Sequence, residues 1–142
     1  MLDSLDTLRA AVECALPAGE GIPAGLEVGA DRHIRDALES MLPGATDLLA
    51  GLLDAYAAEQ GEPEGFASLP IEDRAVVLRK MLTEPIADVR ELAEAVLLFG
   101  YGAVYSEWSG FDRDTRTLKP PPVWDAIGYG GPSDGHPDYG HA

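Results

Sequence analysis

Apolar residues recur at intervals of three and four through most of the first hundred positions, and proline–glycine clusters interrupt them. Such spacing places apolar side chains on one face of a helix, whereas proline and glycine end helices or open loops between them. No segment alternates apolar and polar residues as a half-buried strand does. We therefore predict an all-α fold, a bundle of about five helices that begin near Ser4, at Leu26, after Gly44, at Pro70 and at Pro85.

The same spacing predicts which side chains of each helix face the core. In chain order these are Leu5, Leu8, Val12 and Leu16; Leu26, Ala30, Ile34, Leu38 and Met41; Leu48, Leu49, Leu52, Leu53 and Tyr56; Ile71, Ala75, Leu78 and Leu82; and Ile86, Val89, Leu92, Val96 and Leu97. Phe66 and Leu69, in the loop 61–69, are expected to tuck back onto the core. Gly100 and Gly102 weaken the fifth helix and permit a kink or the close approach of another part of the chain.

The length and charge of the chain limit what it can bind. With 142 residues it is most simply one domain, with a helical bundle over 1–108 and a docking tail over 109–142. The net charge of −15 repels phosphate backbones and anionic lipid heads, so we expect neither nucleic acid nor a membrane as partner. The longest uncharged stretch, 95–106, is shorter than the roughly 20 residues that span a bilayer. The first residues contain no basic or apolar leader, so a cytoplasmic location is expected, with periplasmic export alongside a partner as the alternative.

Aromatic residues concentrate toward the C-terminal end of the chain. Eight of the ten lie at or after Phe99, although residues 109–142 also hold five of the eleven prolines and only one short predicted helix, Pro122–Ile127. Disordered linkers are poor in aromatic residues, so this tail is expected to dock on something. Trp124 and Tyr129 flank Ile127 on a proline-braced element, which suits either contact with another protein or cover for the open end of the chain's own bundle. The pattern alone favours neither.

Polar clusters do not assemble into a recognisable catalytic site. His136 and His141 share the tail with Asp134 and Asp138, but their spacing matches no closed metal site, and a solvated or docking tail is favoured. The other candidates have structural explanations. His33 is expected to be a helix-surface residue or the capped edge of the core, and the single Cys14 a small core residue. Ser106-Glu107 lacks an activating histidine, residues 112–116 are expected to form a solvated loop, and the glycines of 128–131 lack the context of a phosphate-binding loop. We therefore predict no catalytic site and no metal site on this chain, and an independent enzyme is the weaker hypothesis.

Several segments resemble a known family. Residues 123–132, Val-Trp-Asp-Ala-Ile-Gly-Tyr-Gly-Gly-Pro, resemble the closing W-x-x-(I/L)-G-Y-x-G-P signature of the family named for subunit 3 of gluconate 2-dehydrogenase. Residues 8–17 resemble its opening helix, which also runs into a proline. Residues 25–30 with Ile34 are similar to its second helix, and Tyr105-Ser106 lies where the family often has a Tyr-Ser pair. The resemblance covers nearly the whole chain.

The resemblance implies a small helical subunit without a cofactor that pairs with a large FAD-dependent oxidoreductase of the glucose–methanol–choline class. That partner oxidises sugars, sugar acids or alcohols, a cytochrome c subunit can complete the complex, and the small subunit supports the folding, stability or export of its partner. The contact residues we predict are Tyr101, Tyr105, Trp108, Trp124, Ile127 and Tyr129. The alternatives are a stand-alone enzyme or small-molecule-binding protein whose inter-helix pocket is closed by the tail, with Glu107 or His136 as its ionisable group, and a protein that self-assembles by exchanging tails.

Overall fold

The computed structural model describes residues 3–112 and 114–130, and within them five helices form the bundle. They are α1 (Ser4–Ala15), α2 (Ala30–Met41), α3 (Ala45–Glu59), α4 (Ile71–Leu82) and α5 (Ala87–Tyr105). Single-turn 3-10 helices occupy Phe66–Ser68 and Glu107–Gly110. Strands β1 (Phe111–Asp112) and β2 (Thr117–Leu118) pair antiparallel, and the short helix α6 (Pro122–Ile127) follows. The all-α prediction is confirmed.

The core is continuous because α1 contacts each of the other four bundle helices, while α2 packs along α5. Its large, fully buried side chains come from all five helices and from the loop before α4: Leu8, Val12, Ile34, Leu49, Leu53, Phe66, Val77, Met81 and Val96. Burying a side chain of this size contributes roughly 1.5–3 kcal/mol. The expected return of Phe66 and Leu69 onto the core is confirmed, since both are buried.

The second helix starts later than predicted. Residues 26–29 form turns, and α2 begins only at Ala30 because Gly29 adopts a left-handed conformation, with φ of 73°. A right-handed helix cannot pass through a residue with positive φ, and glycine is the residue that adopts it without steric cost. Leu26 packs on the core as predicted, but it belongs to a turn and not to the helix.

Four side chains predicted to face the core lie at the surface. Met41 is 72% exposed, Leu48 49%, Ile71 45% and Ile86 59%. On α4 the buried residues are Val77, Leu78 and Met81, because α4 packs against both α1 and α5. The apolar stripe of a helix can be wider than the strip its neighbours cover, and only the tertiary contacts decide which part is buried.

Helix α5 continues through both glycines, to Tyr105, so they do not end it. At Gly100 a Cβ atom would lie 2.5 Å from Cδ1 of Leu16 and 3.6 Å from Cδ1 of Ile34. The first distance is far shorter than a carbon–carbon contact, so the glycine permits the close approach that was one of its two predicted roles. This approach lets Leu16, at the end of α1, bury itself against α5.

Two charged side chains fasten loops to the bundle. The guanidinium of Arg74 donates hydrogen bonds to the backbone carbonyls of Leu69 and Ala67, both at 2.9 Å, and to the Glu13 carboxylate at 2.6 Å. The carboxylate of Glu39 accepts hydrogen bonds from backbone N–H groups at the start of α3, with donor–acceptor distances of 2.9 Å. These N–H groups have no partner inside the helix, so Glu39 serves as the cap of α3.

The described residues after α5, 106–112 and 114–130, fold back on the bundle. The two strands were not expected from the sequence; each has only two residues and both are exposed, which is too short for an alternating pattern to be recognised. The Asp112 carboxylate closes the hairpin by accepting hydrogen bonds from the backbone N–H groups of Asp114 and Thr115, with donor–acceptor distances of 2.9 and 3.3 Å. Helix α6 spans the residues predicted for it, and it packs against α5.

Candidate partner interface

Trp124 lies in the interior of the chain and not on its surface. It is 6% exposed and packs in a small cluster with Val104 and Val123, onto which Ile22 closes. Its indole N–H donates a 3.1 Å hydrogen bond to the backbone carbonyl of Tyr105. This carbonyl belongs to the last turn of α5 and has no partner within that helix. Trp124 therefore covers the end of α5 within the chain itself, and its contact with a partner stays a prediction.

Trp108 is also turned toward the chain's own helices. Its indole N–H donates a 3.0 Å hydrogen bond to the carbonyl of Val28, and its ring lies 4.7 Å from the ring of His33 on α2, measured between centroids. The side chain is half-buried. Trp108 therefore fastens the segment after α5 to the turn before α2, and its contact with a partner stays a prediction. His33 is half-buried beside this ring.

The other four predicted contact residues are exposed. Tyr101 is 49% exposed, Tyr105 39%, Ile127 52% and Tyr129 46%. Tyr101 and Tyr105 lie one turn apart on α5, with ring centroids 6.3 Å apart. Tyr129 stands edge-on to the buried Trp124, at 5.0 Å between centroids. The Trp124 indole therefore links Tyr129, which follows α6, to the end of α5. Contact of the four exposed residues with a partner stays a prediction.

Leu98 extends this surface, and the sequence reasoning missed it. It is 69% exposed and precedes Tyr101 by three residues, so Leu98, Tyr101 and Tyr105 share one face of α5. We call these three residues the aromatic face. The signal was present as the spacing 98–101–105, but the neighbouring apolar residues of α5 hide it. Leu97 was assigned to the core on the same helix, and nothing in the spacing separates the two leucines.

A groove of about 200 Å³ lies beside the two tyrosines. Its walls are Ala15, Leu16, Pro17, Gly19, Ile22, Pro23, Tyr101, Val104 and Tyr105. The loop side is held by two backbone hydrogen bonds between Gly19 and Ile22, with donor–acceptor distances of 2.9 and 3.2 Å. The groove is therefore formed where a braced proline loop meets the end of α5.

The residues that line the groove bring no positive charge with them. The stretches 15–23 and 101–105, which hold all nine lining residues, contain one carboxylate, Glu20, and no lysine or arginine. Gly21 brings the loop against α6, since a Cβ atom there would lie 3.1 Å from Cβ of Ala126. Glu20 and Asp125, which neighbour these two contact residues in sequence, are exposed.

A second cavity, of about 340 Å³, opens between α2 and the segment after α5. It is lined by Glu27, Val28, Arg32, Arg35, Asp36, Trp108, Ser109 and Phe111. Its charges balance, with two guanidinium groups against two carboxylates, and Arg35 already pairs with Asp36 at 2.8 Å. We take this cavity as the site of the predicted alternative, a small-molecule pocket.

The single cysteine is placed as a structural residue. Cys14 is half-buried, and its thiol donates a 3.3 Å hydrogen bond to the carbonyl of Ala11. Burial raises the pKa of the Cys14 thiol to about 11, although the nearby Arg74 guanidinium acts in the opposite direction. The thiolate is the nucleophilic form of cysteine, so at neutral pH this thiol is inert.

Acidic groups give no sign of a metal site in the part of the chain that is described. Within 3–112 and 114–130, no three histidine, cysteine, aspartate or glutamate side chains come together as metal ligands. The tail residues considered for such a site, His136, His141, Asp134 and Asp138, lie outside the described residues. Hydrogen bonds from the backbone N–H groups of Thr115 and Asp114 lower the pKa of Asp112, so this carboxylate closes a turn in its ionised form.

Comparisons of the chain with protein-family models, curated proteins and solved structures gave no match. The resemblance to the gluconate 2-dehydrogenase subunit 3 family therefore stays a prediction. Among the helices of the described residues, none is both long and apolar enough to cross a membrane.

Proposed function

We propose that this chain is a non-catalytic accessory subunit that binds and stabilises a large FAD-dependent oxidoreductase. The observation that supports this most is the aromatic face, where Leu98, Tyr101 and Tyr105 stand exposed on a helix whose other side is buried in the core. Large apolar and aromatic side chains grouped at a surface mark protein-binding sites, and tyrosine is enriched among the residues that dominate binding energy.

The class of the partner comes from the sequence resemblance. The signature residues that the structure describes, 123–130, form α6 and the turn after it. We propose that the partner is a flavoprotein of the glucose–methanol–choline class that oxidises sugars, sugar acids or alcohols, with a cytochrome c as a further possible subunit. FAD then belongs to the partner, and this chain supplies neither cofactor nor catalytic residue.

Binding of this kind stabilises the partner by mass action. A subunit that binds only the folded flavoprotein shifts its folding equilibrium, by about 2.7 kcal/mol when the free subunit is present at 100 times its Kd. The bundle suits this role because its aromatic face is carried on α5, a 19-residue helix packed against both α2 and α4. Little conformational freedom is then lost on binding.

The test is purification of the tagged chain from its source cells, followed by identification of the proteins that remain bound. We expect a yellow complex with a larger flavoprotein in near-equimolar amount. A double variant, Tyr101→Ser with Tyr105→Ser, should lose the flavoprotein while keeping its helical circular dichroism. The matched control, Met41→Ser with Leu42→Ser, alters two apolar residues that are 72% and 54% exposed at the end of α2, and it should retain the flavoprotein. A colourless chain that emerges alone at low salt refutes the proposal.

The alternative function, binding of a small molecule, rests on the cavity beside Trp108. Its volume of about 340 Å³ falls within the roughly 300–1,000 Å³ that is usual for ligand sites. A ligand there would change the fluorescence of Trp108, which lines the cavity, and an Arg32→Ala variant should abolish the change. The tail expected to close such a pocket is 109–142. Ser109 and Phe111 of this tail line the cavity, and residues 131–142 lie outside the described residues.

A further inference from the structure

We propose that the groove between the 16–23 loop and the end of α5 binds a cationic, proline- and leucine-containing segment of the partner protein. This inference rests on the proposed function, in that it states which chemistry of the partner the accessory subunit recognises. The inference goes beyond the aromatic face, because it states where the partner's segment binds, in the groove, and that this segment is positively charged.

The size of the groove favours side chains of a peptide over a complete small molecule. Its volume of about 200 Å³ is below the roughly 300–1,000 Å³ of ordinary ligand pockets. Two prolines, an isoleucine and a leucine face two tyrosines across it, and it contains no charged lining residue. Aromatic-lined grooves of this kind accept extended, proline-containing chains, which lose little conformational entropy when they bind.

The charge around the groove selects a cationic segment. Glu20 lies in the loop between two residues of the wall, Glu107 follows Tyr105 by two positions, and Asp125 precedes the residue that contacts Gly21. No lysine or arginine occurs in the two stretches that line the groove, 15–23 and 101–105, so no cation of these stretches neutralises the Glu20 carboxylate. Arginine and lysine are attracted both to carboxylates and to the exposed faces of tyrosine rings.

The lining of the groove distinguishes it from an undirected acidic surface. The whole chain is acidic, with 25 carboxylates against 10 lysine and arginine residues, so a basic peptide feels attraction everywhere. Elsewhere, however, cations are interspersed: Arg74 lies beside Glu13 and Lys80 beside Glu59. A segment that is both basic and apolar therefore combines electrostatic attraction with burial of its apolar side chains at the groove, and the other carboxylates do not offer it both.

The experiment is calorimetric titration of the full-length chain with three synthetic peptides. One repeats arginine, proline and leucine, the second has glutamate in place of arginine, and the third keeps arginine but replaces proline and leucine with glycine. We expect the first to bind about tenfold or more tightly than either of the others, and its binding to weaken as salt is raised.

Variants locate the binding on the molecule. Gly19→Leu adds a side chain to the groove wall, at a position where a Cβ atom meets only Cβ of Ile22 at 3.8 Å, so the fold is retained. Both Gly19→Leu and Glu20→Lys should weaken binding of the first peptide by about tenfold. The matched control, Glu64→Lys, reverses an exposed loop carboxylate outside the groove and should leave the affinity within about twofold.

Three results overturn the inference: no binding of the first peptide, equal binding of the first and third peptides, or full binding to Gly19→Leu. The peptide titration needs no flavoprotein, so the two proposals fail separately. If a flavoprotein is purified with the chain but the peptide does not bind, only the groove inference is wrong. If the peptide binds as expected but no flavoprotein is found, the proposed function is wrong and the groove serves a different basic partner.

Discussion

Replacing Trp124 with alanine should lower the free energy of unfolding by about 3 kcal/mol, at the low end of what truncating a buried tryptophan costs. The side chain is 6% exposed and packs against Val104 and Val123, and its N–H satisfies the carbonyl of Tyr105. The hydrogen bond accounts for about 1 kcal/mol of the loss. Trp124→Phe keeps most of the packing and removes the hydrogen bond, so it should cost about 1 kcal/mol.

The assay is urea and thermal unfolding, followed by circular dichroism. For a chain of this size a loss of about 3 kcal/mol lowers Tm by roughly 6–12 °C. Hydrogen exchange shows which part of the chain is destabilised. Backbone amides of α6 and of the loop containing Ile22 should exchange faster in Trp124→Ala, because that loop packs on the same cluster. Ile127→Ala is the matched control, since this α6 residue is 52% exposed and should change stability by no more than about 0.5 kcal/mol.

An unchanged unfolding free energy in Trp124→Ala, with unchanged exchange in α6, would refute the packing argument. If that variant also lost the flavoprotein partner, Trp124 would be the partner contact that the sequence suggested. If Trp124→Ala is destabilised but still binds the partner at a temperature where it is folded, the tryptophan is an anchor of the chain itself. The two readings therefore give opposite results for one substitution.

Three further predictions concern single polar side chains. Arg74→Met should destabilise the chain by about 2 kcal/mol in urea unfolding, because two backbone carbonyls and Glu13 lose their donor, and Arg74→Lys should restore only part of this. Cys14 should resist alkylation at neutral pH and react faster as pH rises toward the raised pKa of about 11, whereas the urea-unfolded chain should already react near pH 9.0, the ordinary pKa of a thiol. Glu39 has a lowered pKa, mainly through its hydrogen bond from the Gly44 N–H, so its stabilising effect is present above pH 4.5 and lost as pH falls through the pKa of the folded state. In acid titrations monitored by circular dichroism, Glu39→Ala should therefore remove part of the decline in stability below pH 4.5; the same decline in wild type and variant would contradict this assignment.

The helices of the bundle could be predicted because their signals are local. Helical spacing and helix-breaking prolines depend only on neighbouring residues, so the starts of α1, α3, α4 and α5 were predicted to within two residues, and the short α6 over its observed range. The start of α2 could not be predicted from apolar spacing, because the turn 26–29 buries Leu26 at a similar interval. The left-handed conformation of Gly29 separates the two, and the sequence permits this conformation without requiring it.

The candidate site was predicted in part. An aromatic-rich C-terminal region is visible in the composition, and Tyr101, Tyr105, Ile127 and Tyr129 are exposed as an interface requires. The fate of the two tryptophans was not predictable, because each depends on a distant carbonyl: Trp108 lies 80 residues from Val28, whose carbonyl accepts its indole N–H. The groove was missed for the same reason, as its two walls are far apart in the chain.

The sequence by itself determined the helical class, the approximate positions of the helices, the acidic charge and the concentration of aromatic residues. These follow from local periodicity and from composition, which need no knowledge of contacts. Only the tertiary structure decided which aromatic rings turn inward: Trp124 closes the end of α5, while Tyr101 and Tyr105 stay at the surface beside the groove. The physical reason is that burial is settled by competition among all parts of the chain for the same core, and a residue's neighbours in sequence do not record the outcome.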